Sequence, residues 1–236
     1  MFITRFEELP KEMQNSAVKE YAVLLSGKKG TLLAKRILEF LLCGLVFLIT
    51  LPLFLAIAAG VGLTSEGPVF FRQERVGRDM KPFFILKFRT MIKDADRQGI
   101  QLTTGNDSRI TGFGRLLRKT NLDEMPQILN VLKGEMSIIG TRPEVRRYVA
   151  HYTDEMYATL LLAPGMLSDA SVKYKDENSL LTGVENPQEI YLRKILPDKM
   201  RYNLAYLKNI SVNTDIHIIF NSICCAFSRE KKETEK

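Results

Sequence analysis

Phe40 to Leu63 reads FLLCGLVFLITLPLFLAIAAGVGL, 24 residues without a charged side chain. As a single helix it would be roughly 36 Å long, enough to cross the hydrocarbon core of a bilayer. The run begins well inside the chain and is too long for the apolar core of a signal peptide. No small-residue cleavage site follows it, so it reads as a membrane element that stays in the mature protein.

The flanks bear on its topology. Lys28, Lys29, Lys35 and Arg36 precede the run, and Arg72, Arg75, Arg78 and Lys81 follow it. A simple span carries its excess of positive charge on one side; basic residues at both ends favour a segment that turns back, with both ends cytoplasmic. Pro52, at the midpoint, removes one backbone donor and crowds the preceding turn, and the Thr50 hydroxyl is placed to satisfy a freed carbonyl. The expectation is a re-entrant helix hairpin over residues 33–64, turned at Pro52. From the residues alone, a single-pass helix with a proline kink stays open as the alternative.

Around this element, 236 residues suffice for one catalytic domain. Lys and Arg number 34 against 27 Asp and Glu, a formal charge of +7 that suits a lipid surface or a phosphorylated substrate. Nucleic acid is disfavoured, because there is no zinc-ligand spacing, no RNA-binding aromatic signature and no basic helix followed by heptads. Cys43, inside the apolar run, and the adjacent pair Cys224 and Cys225 form neither a disulfide framework nor a Cys-x-x-Cys metal site, which fits a reducing compartment; the pair reads as small buried hydrophobes, with lipidation as the alternative.

Residues 1–32 are mixed and polar, with apolar patches such as AVLL at 22–25, and read as a helical or partly ordered N-terminal extension at the membrane surface. GPVFFRQERVGRDMKPFFILKFRTM suggests two short strands about a turn at Gly77 to Asp79. Its arginines and lysines are candidate phosphate or headgroup binders, or else a solvated strand face. Asp94 to Arg109 reads as a loop.

Ile110 to Leu132 reads as a helix in two pieces, the second opened by a capping-box-like Asn121 with Glu124 and stopped at Lys133-Gly134. Tyr148 to Leu162 is expected to be a helix ended by Pro164-Gly165, and Pro197 to Phe227 two further helices before the charged tail 229–236. The fold class is α/β, mostly helical with a small sheet, the catalytic part spanning residues 65–228 with amphipathic helices on the membrane surface.

The sharpest chemical feature is Asp123-Glu124, two carboxylates at a helix start near Arg115, Arg118, Lys119 and Arg142. A carboxylate among arginines is expected to have a depressed pKa and stay ionised, as a nucleophile must, while the same cations grip phosphate oxygens. The second carboxylate suits Mg²⁺, which binds one or two carboxylates plus substrate phosphates. Acids that merely favour a helix N-terminus are the plainer reading of the pair. His151 and His217, the only histidines, suggest surface residues rather than a metal site.

Over roughly residues 33–223 the chain resembles the bacterial sugar transferase family, the monotopic phosphoglycosyl transferases. The matching motifs are KRILEF before the apolar run with its mid-helix proline, GPVFFRQERVG, FFILKFRTM, DSRITGFGRLLRKTNLDEMPQILNVLKGEMSIIGTRP, and Pro164-Gly165. The resemblance implies a monotopic protein of the bacterial inner membrane with its catalytic domain facing the cytoplasm. It implies that Asp123 attacks the sugar-bearing phosphate of a UDP-sugar and expels UMP, and that undecaprenyl phosphate then takes the phosphosugar.

Glu124 matches the family's Mg²⁺-binding carboxylate, and Lys87, Arg118 and Arg142 match its phosphate contacts. The implied setting is exopolysaccharide, capsule, lipopolysaccharide or glycoprotein synthesis, with membrane lipids as partners and a homodimer as an open option. Thr141-Arg142-Pro143 stands where the family usually has Pro-Arg-Pro, Glu135 replaces the more usual Asp, and PGMLSDASV departs from the common Pro-Gly-x-Thr-Gly-type stretch where donor recognition is expected.

Overall fold

The structure is a computed structural model that describes residues 3–93, 95, 107–175, 177–181 and 184–234, the side chains of 178, 179 and 226–234 excepted. Its helices are α1 Ser16–Ser26, α2 Lys29–Thr64, α3 Gly112–Lys119, α4 Gln127–Lys133, α5 Arg146–Val149, α6 Asp169–Lys173, α7 Glu177–Leu181, α8 Pro187–Ile190, α9 Leu196–Lys208 and α10 Val212–Thr234. The strands are β1 Phe70–Val76, β2 Pro82–Phe88, β3 Ser137–Ile139 and β4 Gly165–Leu167. The fold is mostly helical, and the strands form two two-stranded sheets, β1–β2 and β3–β4.

Contacts divide the chain into two compact units. The first comprises Met1–Glu39, Arg75–Phe83 and Gly134–Lys236; the second comprises Phe40–Glu74 and Phe84–Lys133. The expected loop over Asp94 to Arg109 lies outside the described residues except for Ala95 and Asp107–Arg109, and α10 carries the expected tail as helix to Thr234.

In the second unit the apolar run belongs to α2, a continuous helix of 36 residues with Pro52 inside it. The Thr50 hydroxyl donates to the Val46 carbonyl at 2.8 Å. The carbonyl that Pro52 leaves without a donor is that of Leu48, so Thr50 does not take the expected role; a helical threonine reaches back four residues to its own turn. Leu41, Leu45, Leu48 and Ile49 are 57–69% exposed. With so much apolar surface turned outward, this helix is long and apolar enough to cross a membrane.

Toward its C-terminal end α2 turns a stripe inward. Phe54, Ile57 and Val61, three and four residues apart, close on Phe88 and Leu117, and the Phe88 ring lies 5.0 Å from that of Phe54 and 5.7 Å from that of Phe70. Burying each such side chain contributes about 1.5–3 kcal/mol. The last carbonyls of any helix lack intrahelical partners. Here the buried Arg89 guanidinium supplies donors to the Val61, Ser65 and Pro68 carbonyls and to the Ser65 hydroxyl. Arg89 is therefore a helix cap rather than the phosphate or headgroup ligand its motif suggested.

Strands β1 and β2 are joined by Gly77–Lys81, too short for anything but a hairpin. The expected turn is present, with Asp79 and Met80 in left-handed backbone at φ 54° and 58°.

The first unit has the larger core. Leu9, Met13, Val18, Tyr21, Ala22 and Leu25 are buried in it, so the N-terminal 32 residues, expected as an extension, supply core side chains. Asn15 caps α1 by accepting from the Val18 N–H at 2.9 Å. Leu196, Met200, Leu204 and Leu207 give α9 its buried stripe, behind a π-helical turn over Tyr191–Ile195.

Strands β3 and β4 pair in parallel, Ser137 with Gly165 and Ile139 with Leu167. A Cβ on Gly165 would stand 2.1 Å from the Gly140 nitrogen, so glycine is what lets the chain pass there. Gly165 thus opens a strand instead of ending a helix. The helix expected over Tyr148 to Leu162 is broken into α5 and a 3₁₀ stretch, Met156–Leu161. Ala158, Thr159, Leu160 and Leu161 are all buried, which a one-sided helix cannot achieve.

Lys35, counted among the basic flanking residues, is buried between Glu39 and Asp215, each at 2.7 Å. Tyr206 donates to Asp215 at 2.6 Å and Ser137 to Glu39 at 2.6 Å, so one polar network joins the start of α2 to β3, α9 and α10.

Candidate active site

The carboxylate pair sits in the second unit on the segment between α3 and α4. Thr111 caps α3 by accepting from the Gly114 N–H at 2.9 Å. Gly114 lies against the chain two residues past the end of β2: a Cβ there would be 2.1 Å from the Thr90 carbonyl oxygen. This approach brings Arg118 Nε within 2.8 Å of Thr90 Oγ1.

Beyond α3 the chain breaks at Asn121, in left-handed backbone at φ 55° and making no side-chain cap. The expected capping box does not form; asparagine instead tolerates the conformation that lets the chain re-enter a turn. Leu122–Glu124 is that turn, of 3₁₀ type, and α4 follows.

Burial along this stretch is periodic. Asp123, Pro126, Gln127, Asn130 and Val131 are the buried positions, the spacing of one helix face. Asn130 docks that face on β2 by two hydrogen bonds, its amide donating to the Phe84 carbonyl at 2.8 Å and its oxygen accepting from the Leu86 N–H at 3.0 Å. Lys87 is the next residue of the strand, and its Nζ lies 2.7 Å from Glu124 Oε1.

Asp123 is 8% exposed, and burial raises its carboxyl above the ordinary value; Glu124 adds to the rise, while Lys87 and Arg118 oppose it without prevailing. The expectation of a depressed pKa is therefore corrected: desolvation outweighs the two nearby cations. Burial likewise lowers the Arg118 guanidinium, with Asp123 and Asp107 acting against it.

Asp123, Glu124, Lys87 and Arg118 thus come together as two acids and two bases. Arg142 belongs to the first unit, half-buried just after β3, and Pro52 lies within α2. Arg115 and Lys119 are exposed, as are His151 and His217. Cys43 is buried, whereas Cys224, expected as a buried hydrophobe, is exposed and Cys225 half-buried.

No cluster of three or more His, Cys, Asp or Glu occurs among the described residues. Two adjacent carboxylates match what Mg²⁺ requires when phosphates and water complete its shell. The residues not singled out from the sequence are Thr90, Gly114 and Asn130, which position Arg118 and the segment that bears the carboxylate pair. The signal for Asn130 was legible in principle: a polar residue on the otherwise buried face of α4.

Residues 30–229 match the bacterial sugar transferase family. A UDP-glucose:undecaprenyl-phosphate glucose-1-phosphate transferase of Xanthomonas campestris pv. campestris is 39% identical, over 71% of this chain and 33% of its own length. A UDP-N-acetylgalactosamine-undecaprenyl-phosphate N-acetylgalactosaminephosphotransferase of Aeromonas hydrophila is 35% identical, over 82% and 45%. The exopolysaccharide production protein PSS of Rhizobium leguminosarum bv. phaseoli is 35% identical, over 78% and 90%. The chain therefore spans a third to under half of the first two relatives and nearly all of the third. With a match that runs through the apolar helix, the carboxylate pair and the C-terminal helices, this chain belongs to the bacterial sugar transferase family.

Proposed function

We propose that this protein is a phosphoglycosyl transferase that moves a sugar-1-phosphate from a UDP-sugar to undecaprenyl phosphate, the first membrane step of surface polysaccharide or glycoconjugate synthesis. The observation that carries the reading is the buried Asp123 carboxylate with Glu124, Lys87 and Arg118 around it. Phosphoryl transfer asks chiefly for positioning and charge neutralisation, and this set supplies both.

An Asp123 carboxylate oxygen attacks the sugar-bearing phosphorus. The bond from that phosphorus to the bridging oxygen breaks, and UMP leaves with the electron pair. A phosphate oxygen of undecaprenyl phosphate then attacks the same phosphorus and breaks its bond to Asp123, which regains its carboxylate and leaves an undecaprenyl diphosphate sugar. Lys87 and Arg118 bind the phosphate oxygens. Glu124, with Asp123 beside it, would hold Mg²⁺, which when bound neutralises charge on the diphosphate.

The protein acts at the bacterial inner membrane with its catalytic residues on the cytoplasmic side. There the apolar run enters and leaves from one face by bending at Pro52, inside the otherwise continuous α2, a reading supported by basic residues at both ends of the run. Cysteines introduced near positions 30 and 75 should both be labelled from the cytoplasmic side of sealed vesicles; labelling from opposite sides would sink the re-entrant topology.

The reaction is tested by UMP release from a panel of UDP-sugars by the detergent-purified chain with undecaprenyl phosphate and Mg²⁺. Release with one donor, dependent on Mg²⁺ and abolished by Asp123→Asn and Glu124→Gln, is the expected result. Full activity in Asp123→Asn would refute the nucleophile.

A further inference from the structure

Gln127 is fully buried, and neither its amide nitrogen nor its amide oxygen has a hydrogen-bond partner. Among the described residues no other side chain leaves two buried polar atoms unpartnered. Burying a carboxamide without partners is costly, and an apolar side chain of the same shape would avoid the cost. A group kept at such a disadvantage calls for a role outside the resting arrangement.

Its position suggests the role. Asp123, on the 3₁₀ turn, and Gln127 and Asn130, on α4, are the buried polar residues of this stretch. Asn130 is satisfied by the backbone of β2, and Asp123 interacts electrostatically with Lys87 on the same strand. Gln127 lies between them in the chain, four residues beyond Asp123, with both polar atoms buried and idle. Its oxygen and nitrogen have no exposed surface, so it cannot touch a donor directly; it can act only through a neighbour, and the neighbour with a reason to move is the attacking carboxylate.

Resting on the proposed transfer reaction, we infer that Gln127 is a positioning residue whose amide N–H donates to the Asp123 carboxylate once the donor is bound. The bond holds one carboxylate oxygen so that the other faces the phosphorus. An amide suits this task better than a cation, because it orients the nucleophile without neutralising it.

The test uses the full chain in detergent. Gln127→Met keeps the length and volume of the side chain and removes both polar atoms. Single-turnover UMP release is measured with saturating UDP-sugar and Mg²⁺ and without undecaprenyl phosphate. The burst amplitude counts competent enzyme and the burst rate reports alignment. The expected result is a burst rate lower by about 10- to 100-fold at unchanged amplitude, KM for the donor little altered, and a Tm equal to or above that of the wild type.

A lower amplitude at unchanged rate, or a lower Tm, would show a structural residue and overturn the inference; so would an unchanged rate at unchanged amplitude. Asp123→Asn separates this inference from the reading beneath it. If that variant gives no burst while Gln127→Met bursts normally, the inference alone fails; if Asp123→Asn still gives a burst, the nucleophile assignment fails with it.

Discussion

Asp123 is held where burial and charge oppose each other, and burial prevails. A buried carboxyl whose folded pKa lies above its unfolded value binds more protons folded than unfolded between the two, so its contribution to stability is lost as pH rises through that window. Without divalent cation, Asp123→Asn should therefore raise Tm at neutral pH. The gain should shrink as pH falls through the folded pKa and vanish below the unfolded value of 3.8. The same substitution should lower UMP release by about 10⁴-fold or more. A variant both inactive and more thermostable is the signature of a functional carboxylate kept at structural cost. Gly114 has the opposite character. Gly114→Ala would force a Cβ against the Thr90 carbonyl, costing about 1–3 kcal/mol and about 2–4 °C of Tm per kcal/mol, and would displace Arg118 with it. At this scale the acid pair was legible from its two letters and their basic surroundings, whereas the direction of the Asp123 shift was not, because burial is a property of packing.

At the scale of elements, the ends of α2 and the edges of the site depend on side chains that clasp backbone. Arg89 closes the last turn of α2, and Asn130 pairs with β2 as a neighbouring strand would. Hydrogen bonds to a charged group contribute about 1.5–3 kcal/mol each. Arg89→Met should accordingly speed hydrogen exchange at the amides of residues 62–66 and leave those of 54–58, packed on Phe88, unchanged; equal acceleration at both would mean that Arg89 does not cap. The hairpin at 70–88 was legible because its alternation and turn residues are local. The capping box at Asn121 and the helix over 148–162 were misread for a shared reason: local propensity was overruled by non-local burial.

The whole molecule carries one long apolar helix in a mostly helical chain, and its first unit is drawn from three separated stretches. Lys35 shows how such stretches are held, since one ammonium between Glu39 and Asp215 ties the start of α2 to α10. Lys35→Met should leave two carboxylates buried without their cation and destabilise by about 3–5 kcal/mol, read as a fall in Tm. Adding Glu39→Gln and Asp215→Asn to it should recover much of that loss, because the stranded charges are then gone.

The sequence by itself determined that the chain carries an apolar helix long enough for a bilayer, a hairpin after it, an acid pair among cations, and membership of its family; each depends on residues close together in the chain. Tertiary structure alone decided that Lys35 is buried rather than lipid-facing, that Arg89 caps a helix, and that Asn130 docks α4 on the strand bearing Lys87. It alone decided too that burial outweighs the nearby cations in the direction of the Asp123 shift. Those outcomes depend on residues far apart in sequence, and hydrogen bonding and desolvation are set by what packs around a group rather than by its neighbours in the chain.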